Sequence, residues 1–520
     1  MGRDGMVASC HPLASVAGVE VLRSGGNVVD AAIATNAVLG VTQPNFCGVG
    51  GDWFCLYYEA ETRRVHFLNG AGRSGSRAGL EELARRGLDA VPPFGPGSVS
   101  VPGVTRAWSM ILERFGTRPL KSLLAPAIHY AGDGFPLTDI VSQAIRERSD
   151  STDDPEWHRV FVPGGVFPKP GDMFRQPDLS RTLTELGDSP DLFYRGRVAQ
   201  AIAKRMERDG FLTAEDLAEH TGAWGEPINT TYRGYTVWET PPPTQGITTL
   251  MTLNLLEGFD VTAHPIHSVE HLHLLLEMTK LAYADRDRWL ADPAKARLPV
   301  EKLLDKAYAA RRRTAFDPDK AQRYEPGEVD GDTTGFVVAD GRGNVLSVIQ
   351  SLYKAFGSGV VAPGTGVVLQ NRGAYFNTDP KHPNCFGPRK QPFHTLIACI
   401  VTRGDQPVLG LSNMGGDGQA MFHTQILTNA LDFGMEIQEA IERPRFFMGR
   451  LTPAEAADLV RLESRVPAAV RDELQRRGHN IQAVSDWFSR EGHAHAVAVL
   501  KDGVLRGGAD PRGDGAAVGY

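Results

Sequence analysis

Apolar and polar positions follow different patterns in the two halves of the chain. In the first half, apolar residues spaced three and four apart predict helices over residues 12–24 and 27–39, separated by Gly25 and Gly26. An uninterrupted apolar run over residues 53–58 predicts a buried strand. From about residue 115 to 315 helical patterns dominate, as over residues 119–131, 213–219 and 267–289.

Strand patterns dominate after about residue 325. Residues 336–339 and 345–349 are predicted strands, joined by the turn-forming residues 340–344. Strands grouped beside helices favour a layered α+β sandwich over a repeat of βαβ units, and the polar residues 305–332 favour an exposed linker. Further strands are predicted over residues 366–370, 396–401 and 408–411, with helices over 423–430 and 467–477.

Composition excludes several classes of function. The chain has 520 residues, 42% hydrophobic and 22% charged, with a net charge of −7. This composition is typical of a globular protein, and no cluster of basic residues indicates binding to nucleic acid or to a membrane surface. No apolar run could span a bilayer, and the N-terminus lacks a signal-peptide core, so we expect a cytoplasmic protein. Five cysteines without a C-x-x-C pair favour buried, reduced thiols. No metal-ligand spacing or nucleotide-binding glycine motif occurs, so we expect no metal and no cofactor.

The strongest chemical signal is a threonine that opens a predicted strand, in the segment Asp332-Thr333-Thr334-Gly335. A threonine hydroxyl is a weak nucleophile unless a base lies beside it. If the chain is cut between Asp332 and Thr333, the freed α-amine of Thr333 becomes that base. The segment therefore predicts an enzyme that makes its own nucleophile by cutting itself; a strand-opening Thr without chemical function is the alternative.

Motifs in order along the chain resemble the γ-glutamyltranspeptidase family of N-terminal-nucleophile hydrolases. The resemblance extends from about His11 to Tyr520, and each motif alone is weak, whereas their order is specific. The motifs are GGNVVDAA at 25–32, VTQP at 41–44, LAPAI at 124–128, YRGY at 232–235, PPP at 241–243, YADR at 283–286, DTTG at 332–335, FGSG at 356–359, GG at 415–416, DPR at 510–512 and GAAVGY at 515–520.

The resemblance implies a four-layer αββα sandwich of the N-terminal-nucleophile hydrolase type. It implies cleavage between Asp332 and Thr333 into a large subunit, residues 1–332, and a small subunit, residues 333–520, which remain one structural unit. Thr333 is then the nucleophile, and the backbone N–H groups of Gly415 and Gly416 form the oxyanion hole; a tight turn is the alternative for this pair. A homo-oligomer is a further possible assembly.

Three more residues match family positions near the nucleophile. Ser351 takes the place of a hydroxyl-bearing residue, and Thr334 follows the nucleophile directly. Asn344 also matches, but its position favours a turn residue over a catalytic one.

The chain departs from the family's transpeptidases where they bind the amino-acid end of a γ-glutamyl group. Their arginine for the α-carboxylate aligns with Ala71, and their aspartate for the ammonium aligns with Tyr375. A serine pair is replaced by His394 and Thr395, and an asparagine by Tyr353. A pocket without an acidic group rejects an ammonium, because that charge would be buried uncompensated.

The remaining pocket groups favour an anionic amide. The segments QSLY at 350–353, QNRG at 370–373, QPFHT at 391–395 and MGGDGQ at 414–419 are similar to the branch that includes oxamate amidohydrolases. That resemblance implies that Arg372 binds the substrate carboxylate. The expected substrate-binding residues are Arg372, His394, Thr395, Tyr353 and Tyr375.

The sequence thus predicts a self-processing amidohydrolase that acts on a small acidic amide through a Thr333 acyl-enzyme. The main alternative is a γ-glutamyltransferase or glutathione hydrolase; an acylase, a carbon–carbon hydrolase acting on an oxalyl group and an inactive binding scaffold are others. Three alternatives to a binding role remain open: Arg372 as a structural ion-pair residue, His394 as a core or loop residue, and Arg73 as a surface residue.

Overall fold

The computed structural model describes residues 1–322, 332–451 and 454–520. None of the helices in these ranges is long and apolar enough to cross a membrane. The helices are α1 (Pro12–Arg23), α2 (Val28–Thr42), α3 (Leu80–Arg85), α4 (Val104–Phe115), α5 (Leu120–Asp133), α6 (Asp139–Ser149), α7 (Pro155–Phe161), α8 (Pro177–Asp188), α9 (Leu192–Arg195), α10 (Arg197–Met206), α11 (Ala214–Ala218), α12 (Gly246–Leu256), α13 (Val269–Trp289), α14 (Val300–Leu304), α15 (Lys306–Arg313), α16 (Gln419–Leu431), α17 (Ile437–Glu442) and α18 (Ala468–Arg476).

Within these ranges the strands form two large sheets and three small ones. They are β1 (Gly5–Ser9), β2 (Asp52–Glu59), β3 (Arg64–Asn69), β4 (Phe135–Pro136), β5 (Met173–Phe174), β6 (Ala223–Gly225), β7 (Ile228–Tyr232), β8 (Tyr235–Glu239), β9 (Asp332–Asp340), β10 (Val345–Tyr353), β11 (Val360–Ala362), β12 (Val367–Leu369), β13 (Ala398–Arg403), β14 (Gln406–Asn413), β15 (Phe446–Met448), β16 (Leu459–Glu463), β17 (Asn480–Val484), β18 (Ala494–Val499), β19 (Leu505–Ala509) and β20 (Ala516–Gly519). The first large sheet has the order β20-β1-β9-β10-β2-β3-β6, and the second has the order β19-β18-β14-β13-β8-β7.

Successive side chains of the central strands point to opposite faces of the sheets, and this alternation produces four layers. Phe54 and Leu56 of β2 pack in the core between the two sheets, whereas Trp53 and Cys55 pack against helices that include α1 and α2. Successive strand residues point to opposite faces, so an uninterrupted apolar run is what a strand buried on both faces requires. The second sheet packs its outer face against α12, α13 and α16. The predicted αββα sandwich is confirmed.

Local signals determine where the first two helices begin and end. Pro12 occupies the first turn of α1, and Gly25, with φ +92°, follows its end. Asn27 caps α2 by accepting from the N–H groups of Val29 and Asp30, while the Asp30 carboxylate accepts from the Asn27 N–H. Both predicted helices are therefore present, with ends that shift by a few residues.

The middle of the chain is mainly helical, as predicted, but two details differ. The predicted helical region contains the strands β6, β7 and β8, two of which complete an edge of the second sheet. Residues 305–332 are not all linker, because α15 lies inside this range and buries Ala309. Residues 317–322 are held as well, since the His273 ring contacts the Asp317 carbonyl and Lys280 donates to the Gln322 carbonyl. The rest of the expected linker, up to residue 331, lies outside the described residues.

Candidate active site

Thr333 lies near the start of β9, a central strand of the first sheet, and its side chain is fully buried. Its hydroxyl is 3.3 Å from Ser351 Oγ and 3.3 Å from Gln419 Nε2. The Gln419 amide is oriented by its Oε1, which accepts from the Ile397 N–H at 3.0 Å. Nε2 therefore donates to Thr333, and the Thr333 hydroxyl is left to donate to Ser351. Sequence reasoning missed Gln419, although it closes the MGGDGQ motif.

A β-bulge places Ser351 beside the threonine. The regular β9–β10 register ends at the pair Thr334–Gln350 and resumes at Asp332–Tyr353, so one residue of β9 faces two of β10. Tyr353 has φ +80°, an uncommon conformation for a non-glycine residue, and its N–H donates to Ser351 Oγ at 2.6 Å. Such strain is typical of functional sites, and here it turns the Ser351 hydroxyl towards Thr333.

Thr334 is not part of this hydroxyl cluster. Its Oγ1 lies 2.6 Å from Cys10 Sγ in the core beside the helices. Burial raises the pKa of the Cys10 thiol to about 12, so the thiol is neutral and bonds to Thr334 as a structural partner. The structure separates Thr334 from Thr333 because consecutive strand residues point to opposite faces.

Gly415 and Gly416 form a loop between β14 and α16. Their φ angles are +129° and +54°, and a Cβ on Gly415 would lie 2.5 Å from the Phe422 ring. Within the described residues neither glycine N–H has a hydrogen-bond acceptor, whereas the neighbouring Met414 N–H donates to the His493 carbonyl. Two unpaired N–H groups at the N-terminus of the helix that carries Gln419 have the chemistry an oxyanion hole needs.

Arg372 is a buried cation, and some of its N–H donors are unused among the described residues. Its side chain is 1% exposed, Nη1 donates to Thr395 Oγ1 at 3.0 Å, and its guanidinium lies 4.2 Å from the centre of the Tyr353 ring. Among the described residues, Nε and Nη2 have no partner. Burial lowers the pKa of Arg372, partly offset by Tyr353 and Asp52. The alternative reading as a structural ion-pair residue is not supported, because no carboxylate of the described residues contacts the guanidinium.

His394 lies close to this guanidinium. The ring is fully buried and meets Phe54 edge-on at 5.0 Å, and within the described residues neither ring nitrogen has a hydrogen-bond partner. Burial, with a contribution from the Arg372 charge, holds the pKa of His394 well below its ordinary value. His394 is therefore a neutral imidazole with one donor and one acceptor available.

The structure corrects the expectation that the pocket has no acidic group. Tyr375 packs near Tyr353, with ring centres 5.5 Å apart, but its hydroxyl donates to the Asp417 carboxylate at 2.5 Å. The same carboxylate oxygen accepts from Arg286 Nη1 at 2.6 Å. Asp417 is thus neutralised by a buried ion pair, and Tyr375 is committed to it.

Asp52 is the second acidic group that sequence reasoning missed. It begins β2 directly opposite Ser351, so both side chains lie on one face of the sheet. Oδ1 accepts from the Gly72 N–H at 3.0 Å, and Oδ2 has no partner among the described residues. Burial raises the pKa of the Asp52 carboxyl to about 7, against the opposing effects of the Gly72 N–H and the Arg372 charge.

The other open positions are resolved by their contacts. Arg73 is exposed, as expected of a surface residue, and Ala71 is buried in the core between the sheets. Asn344 is a turn residue, since its amide donates to Asp340 and its Oδ1 accepts from the Ala60 N–H.

In the described part of the chain, two buried groups of side chains have the composition of metal ligands: Glu239 with Cys399 and His423, and His273 with Glu277 and His479. Both groups are already joined internally, by a His423–Glu239 contact of 2.8 Å and a His273–His479 contact of 2.7 Å. Burial also raises the pKa of Cys399 well above its ordinary value, and a protonated thiol is a poor ligand.

We expect Arg286→Met to lower the free energy of unfolding by ~3–5 kcal/mol, because it leaves the Asp417 carboxylate buried without its cation. The pair is fully buried, with side-chain exposures of 2% and 0%. Thermal melting of uncleaved Thr333→Ala protein measures the effect. Adding Asp417→Asn should restore most of the loss; a double variant no more stable than Arg286→Met would contradict a charge-based cause.

The fold and this site define the class of protein. A two-sheet αββα sandwich that presents a buried threonine near the start of a central strand, hydrogen-bonded to Ser351 and Gln419, is an N-terminal-nucleophile amidohydrolase. The family model described as gamma-glutamyltranspeptidase matches residues 14–520. The chain therefore belongs to the γ-glutamyltranspeptidase family and is a self-processing amidohydrolase of that family.

Relatives with different activities resemble the chain over nearly its full length. The glutathione hydrolase-like YwrD proenzyme of Bacillus subtilis (strain 168) is 40% identical over 523 residues, covering 100% of this chain and 99% of the relative. The oxamate amidohydrolase proenzyme of Klebsiella pneumoniae is 35% identical over 525 residues, covering 99% and 98%. The crystal structure of cephalosporin acylase from Bacillus halodurans superposes with a TM-score of 0.93 at 38% identity, covering 100% and 96%.

Proposed function

We propose that the chain cuts itself between Asp332 and Thr333 and then hydrolyses a small anionic amide of the oxamate type. The observation that carries the substrate class is Arg372, a buried guanidinium with two nitrogens that find neither a hydrogen-bond partner nor a carboxylate among the described residues. A buried unpaired charge is costly, so the site favours a ligand that supplies an anion. The neutral His394 and the Thr395 hydroxyl add polar contacts beside it.

The proposed chemistry follows from the contacts of Thr333. In the mature protein its free α-amine accepts the hydroxyl proton as Oγ1 attacks the amide carbonyl of oxamate. The Gly415 and Gly416 N–H groups stabilise the oxyanion, and the protonated amine returns the proton to the departing ammonia. Water then hydrolyses the Thr333 ester by the reverse sequence of proton transfers, which releases oxalate and restores the hydroxyl. Before the attack, Ser351 and Gln419 hold that hydroxyl in place.

Hydrolysis of a γ-glutamyl compound such as glutathione is the second candidate, and one observation favours it. Asp52 offers an unpaired carboxylate oxygen on the face of the sheet that carries Ser351, where it could accept a substrate ammonium. Three features oppose it: Ala71 stands where the family's arginine aligns, Tyr375 is bound to Asp417, and the pKa of Asp52 leaves it about half protonated at neutral pH.

The deciding experiment incubates purified protein with oxamate and glutathione in one reaction and follows all products by mass spectrometry. Loss of oxamate with appearance of oxalate, and intact glutathione, is the expected result. Formation of glutamate and cysteinylglycine instead would overturn the assignment and identify Asp52 as the group that replaces the family's ammonium acceptor. Turnover of neither substrate would also overturn it, by removing oxamate-type amides from the substrate class.

The charge of Asp52 gives the proposed reaction a pH dependence. Below about pH 7 the carboxyl is neutral and the pocket carries the positive charge of Arg372; above it, the carboxylate offsets that charge. We expect the KM for oxamate to rise about tenfold between pH 6 and pH 9. The variant Asp52→Asn keeps an acceptor for the Gly72 N–H and should show a flat KM. A wild-type KM that is equally flat would contradict the assignment.

A further inference from the structure

A second buried arginine lies near the candidate active site. Arg148, at the end of α6, is 5% exposed, and Nη1 donates to Ser151 Oγ at 3.4 Å. Among the described residues, Nε and Nη2 have no partner. Burial lowers the pKa of this guanidinium to about 10, with no carboxylate acting against it. Like Arg372, Arg148 is a buried cation that no carboxylate in the described part of the chain contacts.

The surroundings of Arg148 form a small cationic cluster, which we call the distal cluster: Arg148, Phe94 and Lys354. The Arg148 guanidinium lies 4.1 Å from the centre of the Phe94 ring, and Lys354 Nζ lies 5.4 Å from the same centre. Phe94 and Lys354 are half-buried, so this edge is accessible to solvent. A half-buried aromatic ring in contact with two cations is suited to a carboxylate with a short apolar linker.

Two chain segments connect the distal cluster to Arg372. Lys354 directly follows Tyr353, whose ring lies beneath the Arg372 guanidinium, and the Lys354 N–H donates to Asn371 Oδ1 at 3.1 Å. Asn371 Nδ2 in turn donates to the Pro93 carbonyl at 2.7 Å, next to Phe94. The distal cluster and the Arg372 pocket thus share one wall.

A short loop connects the backbone beside Arg372 to Phe94 of the distal cluster. The Ser98 carbonyl packs against Gly373, where a Cβ would approach it to 2.7 Å, and Ser98 is four residues from Phe94. Four extended residues span at most about 14 Å. The backbone at Phe94 therefore lies within about 14 Å of Ser98, which contacts the residue after Arg372.

Glycine is needed for this arrangement at one position. Gly359 has φ +71°, and a Cβ there would lie 2.1 Å from Arg148 Nη2. The guanidinium packs directly against the backbone of the loop that begins at Tyr353, so the distal cluster is built into the same loop that shapes the nucleophile bulge.

We propose that the distal cluster binds a second carboxylate, carried by the leaving amine of the substrate. This rests on the proposed function, in which Arg372 holds the carboxylate next to the scissile amide. The substrate class is then N-oxalyl amino acids and related N-carboxyalkyl oxamates. Thr333 forms an oxalyl ester while the C–N bond breaks and the amine leaves with the proton, and water releases oxalate; one water is consumed for each amide cleaved.

The test compares oxamate, N-propyl oxamate and N-oxalyl derivatives of glycine, β-alanine and γ-aminobutyrate on mature enzyme. For wild type, kcat/KM for the best dicarboxylate should exceed that for N-propyl oxamate by about tenfold or more. Arg148→Met should remove this preference through KM, and Arg148→Lys should retain part of it. The matched control is Arg146→Met, which removes an exposed cation from the same helix and should keep the preference. An Arg148→Met enzyme with an unchanged dicarboxylate preference would overturn the proposal.

A binding measurement separates this proposal from the proposed function. Glutarate and acetate are titrated calorimetrically into mature wild type and Arg148→Met. We expect glutarate to bind wild type more tightly than acetate and to lose about tenfold in affinity in the variant, whether or not oxamate is turned over. Equal affinities of glutarate for the two proteins would overturn only the proposal that the distal cluster binds a carboxylate. Lack of turnover with retained glutarate binding would overturn only the proposed reaction.

Discussion

Thr333→Ala protein is expected to remain a single chain of 56.5 kDa. The wild type should separate into fragments of roughly 36 and 20 kDa, in proportion to 332 and 188 of its 520 residues. The physical reason is that the Thr333 hydroxyl is the group that Gln419 and Ser351 hold at 3.3 Å each, and no neighbouring hydroxyl of β9 can replace it. Thr334 is turned away to Cys10. Denaturing electrophoresis and intact mass measure the outcome.

The same substitution should reduce turnover of every amide substrate to background, because both the nucleophile and its α-amine base are lost. Thr333→Ser is the matched control: it keeps the hydroxyl, so it should still cleave, more slowly because the serine rotamer is less restricted. Wild-type protein that stays intact and is nevertheless active would refute the self-cleavage mechanism. So would Thr333→Ala protein that cleaves at the same bond.

Arg372→Met should lower kcat/KM for oxamate by at least about a hundredfold, or ~2.7 kcal/mol, since a charge-assisted contact with the substrate carboxylate is removed. The measurement is oxalate release at several oxamate concentrations. Methionine retains packing against the Tyr353 ring, which limits structural damage. Self-cleavage should continue in this variant, because attack of Thr333 on its own chain involves no substrate carboxylate.

A neutral substrate provides the control for the Arg372 prediction. Oxamide has the same scissile amide but no carboxylate, so its kcat/KM should change little between wild type and Arg372→Met. Arg372→Lys should give an intermediate loss for oxamate, because lysine restores the charge without the planar pair of donors. Equal losses for oxamate and oxamide would show that Arg372 supports the fold of the site and does not recognise the anion.

Much of the architecture could be predicted because it depends on local patterns. The caps and spacing that define α1 and α2 lie within one stretch of sequence, and so does the turn that joins β9 to β10. The strands β6 to β8 were missed because three to five residues carry too few positions for a periodic signal. The order of strands in the two sheets is likewise a matter of pairing between distant segments.

The residues of the candidate site also fall into two groups, those predicted from the sequence and those found only in the structure. Thr333, Gly415, Gly416 and Arg372 were identified from the residues and from the resemblance they carry, because each belongs to a short motif in the sequence. Gln419, Asp52, Arg286 and Arg148 were not identified as site residues, because their importance comes from what surrounds them. Gln419 is 86 residues from the hydroxyl it contacts, and Asp52 faces Ser351 only through the register of β2 and β10.

The sequence by itself determined the family and the layered fold and predicts Thr333 as the nucleophile, because ordered motifs and the alternation of buried positions are local features of the chain. The tertiary structure alone decided the charge of the site. It paired Asp417 with Arg286, raised the pKa of the Asp52 carboxyl to about 7, and buried Arg372 and Arg148 with two nitrogens each that bond to none of the described residues. Whether a charged group is compensated depends on desolvation and on neighbours brought together by folding, and neither is visible along the chain.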